Sequence, residues 1–280
     1  MLIFTKKDEL RAHLTEQKRR GKTLGFVPTM GALHAGHISL ISASKNECNT
    51  TICSIFVNPT QFNDKADLEK YPRMPEKDTE MLKNAHCDVL FLPTVEEMYN
   101  DEKAPVFTFG YLDKILEGEH RPGHFNGVAQ VVKRFFEIIE PHKAYFGSKD
   151  YQQVMIVKAL VKQMNSTVQI VPCPILREPD GLAMSSRNAL LNAEERMVAG
   201  YLPEIMSATK KLALSSSITA AKMFLAAELQ KMPGIRLEYY EICDADTLLP
   251  IASISPDKSC ISLIAAFVGK IRLIDNLILN

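Results

Sequence analysis

Short apolar runs alternate with longer segments of helical periodicity through the first part of the chain. The runs are rich in β-branched and aromatic residues, so they predict strands. They lie at residues 24–27, 51–57, 87–92, 144–146 and 168–171. Between them, apolar residues recur three and four positions apart, which predicts helices at 33–43, 76–84, 128–139 and 151–164. Strands that alternate with helices indicate βαβ units and a parallel sheet with helices on both faces.

The pattern changes after Arg177. Two helical segments, 193–214 and 219–231, precede three apolar runs at 235–243, 260–268 and 271–274. The last two runs flank Gly269-Lys270 and predict a hairpin. We therefore expect an α/β domain over residues 1–175 and a smaller α+β domain over residues 176–280.

Composition removes several classes of function. The 280 residues carry 33 Lys+Arg against 33 Asp+Glu and contain no long basic block, so a nucleic-acid partner is not expected. The longest apolar run, 260–268, is far shorter than the roughly 20 residues that span a bilayer. Charged residues follow the apolar residues 1–4 at once, so no signal peptide is expected. Six cysteines without a C-x-x-C pair predict free buried thiols in a cytoplasmic protein.

The most informative stretch joins the first predicted strand to the first predicted helix. His34 and His37 are three positions apart, which places both rings on one face of a first helical turn. Gly31 and Gly36 permit close approach to the backbone. Free N–H groups and the helix dipole favour an anion at this place, so phosphate is the expected guest. A two-histidine metal site and a pair of packing histidines are the alternatives.

Several separated motifs resemble a known family. His34-Ala35-Gly36-His37 is similar to the H-x-G-H signature of the nucleotidyltransferase superfamily, and Met184-Ser185-Ser186-Arg187-Asn188 is similar to its mobile phosphate-binding loop. Further blocks narrow the resemblance to the pantothenate synthetase (pantoate:β-alanine ligase) family. They are 28–34, 55–62, 71–73, 121–125, 144–153 and 180–188, with a less specific match at 272–276. The resemblance implies that the first domain is a Rossmann-like nucleotidyltransferase domain.

The resemblance implies a reaction in two halves. The carboxylate of pantoate attacks the α-phosphorus of ATP and gives pantoyl adenylate and pyrophosphate. The amine of β-alanine then attacks the activated acyl carbon and gives pantothenate and AMP. Small molecules are thus the expected partners, with Mg²⁺ beside ATP, no nucleic acid, no membrane, and a homodimer as the assembly.

The resemblance also implies the site residues. Those expected at ATP are Thr29, Met30, Gly31, Ala32, Leu33, His34, Ala35, Gly36, His37, Gly147, Ser148, Lys149, Asp150, Leu176, Met184, Ser185, Ser186 and Arg187. The catalytic residues among them are His37, His34, Lys149 and Arg187. Gln61 and Gln153 are implied as pantoate ligands and Asn58 as a helper in that pocket. Asp78 is the implied acid near Mg²⁺, which would bind mainly through ATP phosphates and water.

Other functions stay open at this point. Another adenylyl or cytidylyl transferase would share the two histidines, and a catalytically silent nucleotide-binding module would share the fold. A class I tRNA synthetase is disfavoured because no basic tRNA-binding domain is visible. Ser148 and Gln130-Val131 depart from the usual family pattern, but neither departure touches a residue with an implied chemical role.

Overall fold

A computed structural model describes residues 1–63, 65–99 and 105–280. The chain divides into two compact units, Met1–Pro174 and Ile175–Asn280. The strands of the first unit are β1 (Leu2–Phe4), β2 (Leu24–Thr29), β3 (Thr50–Ile55), β4 (Val89–Phe91), β5 (Lys143–Gly147) and β6 (Gln169–Cys173). Its helices are α1 (Lys7–Arg19), α2 (Ala35–Glu47), α3 (Lys65–Lys70), α4 (Pro75–Asn84), α5 (Val95–Met98), α6 (Glu117–His120), α7 (His124–Ile139) and α8 (Tyr151–Gln163).

The six strands form one parallel sheet in the order β1-β4-β3-β2-β5-β6. On one side of β2, successive strands of the chain are β3 and β4, and on its other side they are β5 and β6. The strand order therefore reverses between β2 and β5, and in open α/β sheets a ligand crevice lies beyond the carboxyl ends of the strands at such a point.

The central strands β2, β4 and β5 are buried on both faces, and their alternate residues enter different cores. Phe26 of β2 packs with Phe135 and Phe136 of α7 on one face. Its neighbour Val27 packs on the other face in a cluster that includes Tyr145. This two-residue alternation under two helical layers is what a buried parallel sheet requires.

The second unit is an α+β module. Its helices are α9 (Ala193–Ala199), α10 (Tyr201–Ser215) and α11 (Ile218–Gln230), and its strands are β7 (Ile235–Asp244), β8 (Cys260–Val268) and β9 (Ile271–Ile278). The strands form an antiparallel sheet in the order β7-β8-β9. The predicted fold class, a parallel α/β domain followed by a smaller α+β domain, is confirmed.

The structure differs from the predicted elements in several places, including the short helices α3, α5 and α6, which the sequence pattern did not predict. Residues 193–214 are two helices, not one, with the break at Gly200. Pro203 contributes to the break because it has no N–H to donate to the carbonyl of Ala199. At the N-terminus, the structure adds β1 and α1, which the sequence pattern did not predict.

The remaining expectations about the chain concern membranes and thiols. No helix among the residues that the structure describes is long and apolar enough to cross a membrane. All six cysteines are buried free thiols.

Candidate active site

The loop between β2 and α2 is a tight turn held from several sides. Gly31 has φ of +83° and Ala32 has φ of +49°, so two successive residues adopt left-handed backbone. The Thr29 hydroxyl donates to the carbonyl of Ser54 at 2.7 Å and accepts the Gly31 N–H at 3.2 Å. The turn is therefore fixed to the neighbouring strand β3.

His34 and His37 form a reciprocal cap at the start of α2. The N–H of Gly36 donates to Nδ1 of His34 at 3.1 Å, and the N–H of His34 donates to Nδ1 of His37 at 3.3 Å. The ring centroids are 4.1 Å apart. Both side chains thus act as caps in the manner of a capping box, which fixes their orientation against the helix.

These hydrogen bonds also set the tautomers. In a neutral imidazole one nitrogen accepts and the other donates, so rings that accept at Nδ1 carry their proton on Nε2. Burial, with the nearby Lys149 ammonium, lowers the pKa of His34 from 6.5 to about 4. Burial, His34 and Lys149 lower the pKa of His37 from 6.5 to about 3. At neutral pH the site therefore offers two uncharged rings, each with an Nε2–H to donate.

The expectation of free main-chain N–H groups at this helix start is wrong for most of the segment. The N–H of Gly31 donates to Thr29, and those of Ala32 and Leu33 donate to the Asp78 carboxylate. The N–H groups of His34, Gly36 and His37 are committed within the cap, the last to the His34 carbonyl at 2.9 Å. The polar groups left for an anion are therefore side chains, chiefly the imidazole Nε2–H groups.

Lys149 belongs to the turn that follows β5. Gly147 ends β5, and Ser148–Asp150 form a short 3₁₀ turn that leads into α8. The Lys149 ammonium acts on the pKa of both His34 and His37, while Asp150 opposes it at His34. The structure thus brings His34, His37 and Lys149 together where β2 and β5 meet, as the strand order requires.

Gln61 lies in the 3₁₀ turn Pro59–Gln61 that follows β3. Its side-chain Nε2 donates to the sulfur of Met30 at 3.1 Å, and its Oε1 accepts from Asn58 at 3.1 Å. The Gln61 amide is therefore oriented with its nitrogen toward Met30, the residue that opens the β2 to α2 loop. A thioether is a weak acceptor, so this contact holds the Gln61 amide nitrogen only weakly.

Asn58, the predicted helper in the pantoate pocket, is hydrogen-bonded within the protein. It is only 1 % exposed, and its amide nitrogen donates to Gln61 and to the carbonyl of Gly127. Its oxygen accepts from the Thr60 N–H at 3.3 Å and from the Tyr99 hydroxyl at 2.7 Å. With both donors and the acceptor used inside the protein, Asn58 positions Gln61.

Helix α7 holds the same turn from a second side. A Cβ on Gly127 would lie 2.3 Å from the carbonyl oxygen of Thr60, so only glycine permits this approach. The His124 ring bonds through Nδ1 to the carbonyl of Gln61 at 2.8 Å. Sequence reasoning missed these two contacts, whose residues lie in or beside the block 121–125.

Two adjacent glutamines of α8 differ in burial and in hydrogen bonding. Gln152 is 2 % exposed, donates to the carbonyls of Leu112 and Ile115 at 2.8 and 2.9 Å, and accepts the Glu117 N–H at 3.0 Å. Gln153, the predicted pantoate ligand, is partly exposed in the first turn of α8. Gln152 is thus a structural residue, whereas the Gln153 amide makes no hydrogen bond to any residue that the structure describes.

Asp78 makes contacts of a different kind from those of a metal ligand. It is 1 % exposed in the first turn of α4, and its two oxygens accept the N–H groups of Ala32 and Leu33 at 2.8 and 2.7 Å. No group of three metal-binding side chains occurs among the described residues. These residues fit a Mg²⁺ ion held through nucleotide phosphates and water better than one held in a protein cage.

The remaining predicted ATP contacts belong to the second unit. Leu176 and Met184 are paired, the Met184 N–H donating to the Leu176 carbonyl at 3.0 Å. Ser185 caps the following 3₁₀ turn by accepting the Arg187 N–H at 3.2 Å. The predicted loop is therefore a short hairpin that ends in a capped turn carrying Ser186 and Arg187.

A partly buried ion pair anchors this hairpin. Arg177 donates to the two oxygens of Asp275 at 2.6 and 3.0 Å and to the carbonyl of Gly181 at 2.9 Å. At its tip, Asp180 accepts from Arg196 of α9 at 2.6 Å. The hairpin is thus joined to β9 at its base and to α9 at its tip.

A parallel sheet with paired histidine donors and a lysine at its switch point is an arrangement suited to stabilising negative charge on a bound phosphate. The family model for pantoate-beta-alanine ligase matches residues 2–278. Among curated proteins, the chain is 45 % identical to the pantothenate synthetase of Porphyromonas gingivalis over 277 residues, which is 99 % of each chain. It is 46 % identical to that of Bacteroides fragilis over 276 residues, 99 % of this chain and 98 % of the relative.

Solved structures agree with this comparison. The pantothenate synthetase of Thermus thermophilus has a TM-score of 0.93 and 39 % identity, covering 100 % of this chain and 99 % of that one. The pantoate-beta-alanine ligase of Francisella tularensis, solved in complex with beta-gamma ATP and beta-alanine, has a TM-score of 0.84 and 35 % identity. That match covers 100 % of this chain and 98 % of that one. The chain belongs to the pantoate-beta-alanine ligase family.

Proposed function

We propose that this protein condenses pantoate with β-alanine at the expense of ATP, through a pantoyl adenylate. The single observation that carries the chemistry is the pair of neutral, Nε2-protonated histidines beside Lys149 at the junction of β2 and β5. Family membership supports the choice of pantoate and β-alanine as substrates. The Francisella tularensis relative, solved with a nucleotide and beta-alanine, supports ATP as the nucleotide substrate.

In the first half-reaction, an ionised carboxylate of pantoate attacks the α-phosphorus and needs no base. The new bond is between carboxylate oxygen and phosphorus, and the broken bond releases pyrophosphate. Negative charge grows on the phosphoryl oxygens, and fixed donors aimed at those oxygens lower the barrier. His34 and His37 would supply neutral N–H donors, while Lys149 and Arg187 would supply positive charge. Mg²⁺ would neutralise further phosphate charge when bound.

In the second half-reaction, the β-alanine amine attacks the acyl carbon of the adenylate. The carbon–nitrogen bond forms, the carbon–oxygen bond to phosphate breaks, and AMP leaves. The amine releases its proton to solvent water, because rings whose pKa values are about 4 and about 3 are poor proton acceptors. With both Nδ1 atoms already accepting backbone N–H groups, His34 and His37 would act on the leaving phosphate as hydrogen-bond donors.

Gln61 and Gln153 would hold pantoate. Amides both donate and accept, so two of them suit a small molecule that carries a carboxylate and hydroxyl groups. The Gln61 amide is held by Asn58 with its nitrogen toward Met30, which supports contact with an acceptor placed next to the nucleotide. Gln153 lies on the first turn of α8, immediately after the Lys149 turn.

The test is isotope exchange between pyrophosphate and ATP. Exchange should require pantoate, and added β-alanine should turn the stalled adenylate into pantothenate and AMP. Exchange that proceeds equally without pantoate would instead identify another nucleotidyl transferase. Nucleotide binding without exchange, whichever carboxylic acid is supplied as substrate, would identify a catalytically silent nucleotide-binding module.

We also propose a cytoplasmic homodimer that binds neither nucleic acid nor membranes. The balanced charge supports the absence of a nucleic-acid partner, and the six buried thiols support a reducing compartment. Sedimentation equilibrium measures the assembly directly, and a monomer at micromolar concentration would reject the dimer.

A further inference from the structure

The Asp78 carboxylate is buried without a cation. It is 1 % exposed, and both of its oxygens are engaged by the N–H groups of Ala32 and Leu33 at 2.8 and 2.7 Å. No Lys, Arg or His among the described residues forms an ion pair with it. A buried carboxylate costs free energy unless hydrogen bonds or dipoles satisfy it, and here two amides and the N-terminal turn of α4 do so.

The two amides belong to the residues that set the direction of His34. Gly31 and Ala32 turn the chain through left-handed backbone, and Leu33 directly precedes the histidine whose N–H and ring begin the cap of α2. A Cβ on Gly31 would lie 3.0 Å from Oδ2 of Asp78, so the carboxylate fills the space under the turn. The carboxylate is thus the partner that both holds this turn and limits its shape.

We propose that Asp78 is a positioning residue for phosphoryl chemistry: its buried carboxylate holds the Gly31–Leu33 turn so that the His34 and His37 rings present their Nε2–H groups together. This inference rests on the proposed function for its catalytic consequence. It assigns Asp78 to the protein's own backbone and differs from a role as a protein ligand of Mg²⁺. In the adenylation step Asp78 forms and breaks no bond.

The test variant is Asp78→Asn, which keeps the shape of the side chain. Its NH2 group then faces one of the two backbone N–H donors and cannot accept a hydrogen bond from it. The matched control is Glu76→Gln, which removes the same charge from an exposed position in the same first turn of α4. Imidazole ¹⁵N shifts of His34 and His37 should move in Asp78→Asn and stay unchanged in Glu76→Gln. The value of kcat should fall about 100-fold in Asp78→Asn, the order expected when catalytic groups are misplaced.

The Mg²⁺ dependence separates the two roles. A positioning residue lowers kcat at every Mg²⁺ concentration and leaves the half-saturating concentration unchanged. A metal ligand raises that concentration, with kcat recovering at high Mg²⁺, and this result would overturn the proposal, as would unchanged histidine shifts. Failure of the wild-type protein in pyrophosphate exchange would reject the proposed function, whereas the histidine shifts still report on the turn.

A second variant covers the case in which Asp78→Asn does not fold. Gly31→Ala keeps the carboxylate but pushes a Cβ against it from a backbone with φ of +83°. We expect the same moved histidine shifts and the same fall in kcat at unchanged Mg²⁺ half-saturation. A Gly31→Ala protein with wild-type shifts and turnover would also contradict the proposal.

Discussion

The main-chain N–H of His34 donates to Nδ1 of His37 at 3.3 Å, while the His34 ring accepts from Gly36 through its own Nδ1. Each histidine is therefore both a cap for α2 and a donor whose Nε2–H faces away from the helix backbone. The orientation of one ring depends on the backbone of the other. Structural and chemical roles are coupled in the same two side chains.

Removing either ring should slow the reaction more than it weakens substrate binding. We expect His34→Ala or His37→Ala to lower kcat about 100-fold or more, the order typical of losing one oriented donor to developing charge. The KM for pantoate should change much less, because neither ring is placed at pantoate. Steady-state kinetics measure both values. The control is His86→Asn, which replaces an exposed histidine with φ of +54° by a residue that tolerates this backbone. It should behave as wild type. Equal losses in binding and turnover would favour a purely structural role.

The two rings should make the folded state sensitive to acid. The pKa values of the two rings in the folded state, about 4 and about 3, lie below the 6.5 of a free histidine. Between pH 6.5 and these lower values, the unfolded chain therefore binds more protons than the folded chain. Stability is then complete above pH 6.5 and is lost as the pH falls toward 4 and 3. Allowing for solvent screening of the partly exposed rings, we expect a loss of about 2 kcal/mol for the pair between pH 7 and pH 5.

Urea unfolding at several pH values measures this loss. A double variant with His34→Gln and His37→Gln should show a flatter dependence over the same range, since it removes the two groups that take up protons. If wild type and double variant lose stability in parallel, the rings are not the source of the acid sensitivity.

Elements with strong patterns could be predicted from the sequence, and weak ones could not. Helix α7 buries eleven residues along one broad stripe, so its apolar spacing predicted it well. Strand β1 has only three residues, with Leu2 and Ile3 about half exposed at the sheet edge, which leaves no alternation to detect. Helix α1 buries only Leu10 and Leu14, so its signal is also short.

Within the candidate site, the sequence could indicate residue types but not which polar groups were already used. Histidine spacing predicted a shared site for His34 and His37, and the family resemblance implied that Lys149 serves the same site. The commitment of the Ala32 and Leu33 amides could not be predicted, because their acceptor Asp78 is 46 and 45 residues away and reaches them only in the folded sheet. The same holds for Asn58, whose amide is satisfied partly by Gly127, 69 residues further along.

Adjacent glutamines provide a sharp contrast. Gln153→Ala should raise the KM for pantoate about 10-fold or more, the effect of losing a hydrogen bond to a charged ligand, with little change in stability. Gln152→Ala should leave the Glu117 N–H and two carbonyls without partners and lower the free energy of unfolding by about 3 kcal/mol. Kinetics and chemical denaturation of both variants check the two outcomes. The reverse assignment of effects would show that Gln152, and not Gln153, serves the ligand.

The ion pair between Arg177 and Asp275 should anchor the hairpin in which Leu176 pairs with Met184. Asp275 is 7 % exposed and binds the Arg177 guanidinium through both oxygens, so Asp275→Asn leaves a charge poorly paired. We expect a loss of about 2 to 3 kcal/mol in unfolding free energy and faster tryptic cleavage after Arg187. Asp180→Asn, which breaks the more exposed pair with Arg196, is the control and should cost less than about 1 kcal/mol. Because an apolar pair of similar size can replace a buried ion pair, Arg177→Met combined with Asp275→Leu should recover stability relative to Asp275→Asn.

Two outcomes would change the interpretation of this ion pair. If the double variant recovers stability but is still cleaved rapidly, the charges themselves order the hairpin. If Asp275→Asn is as stable and as protease-resistant as wild type, the ion pair does not anchor the hairpin.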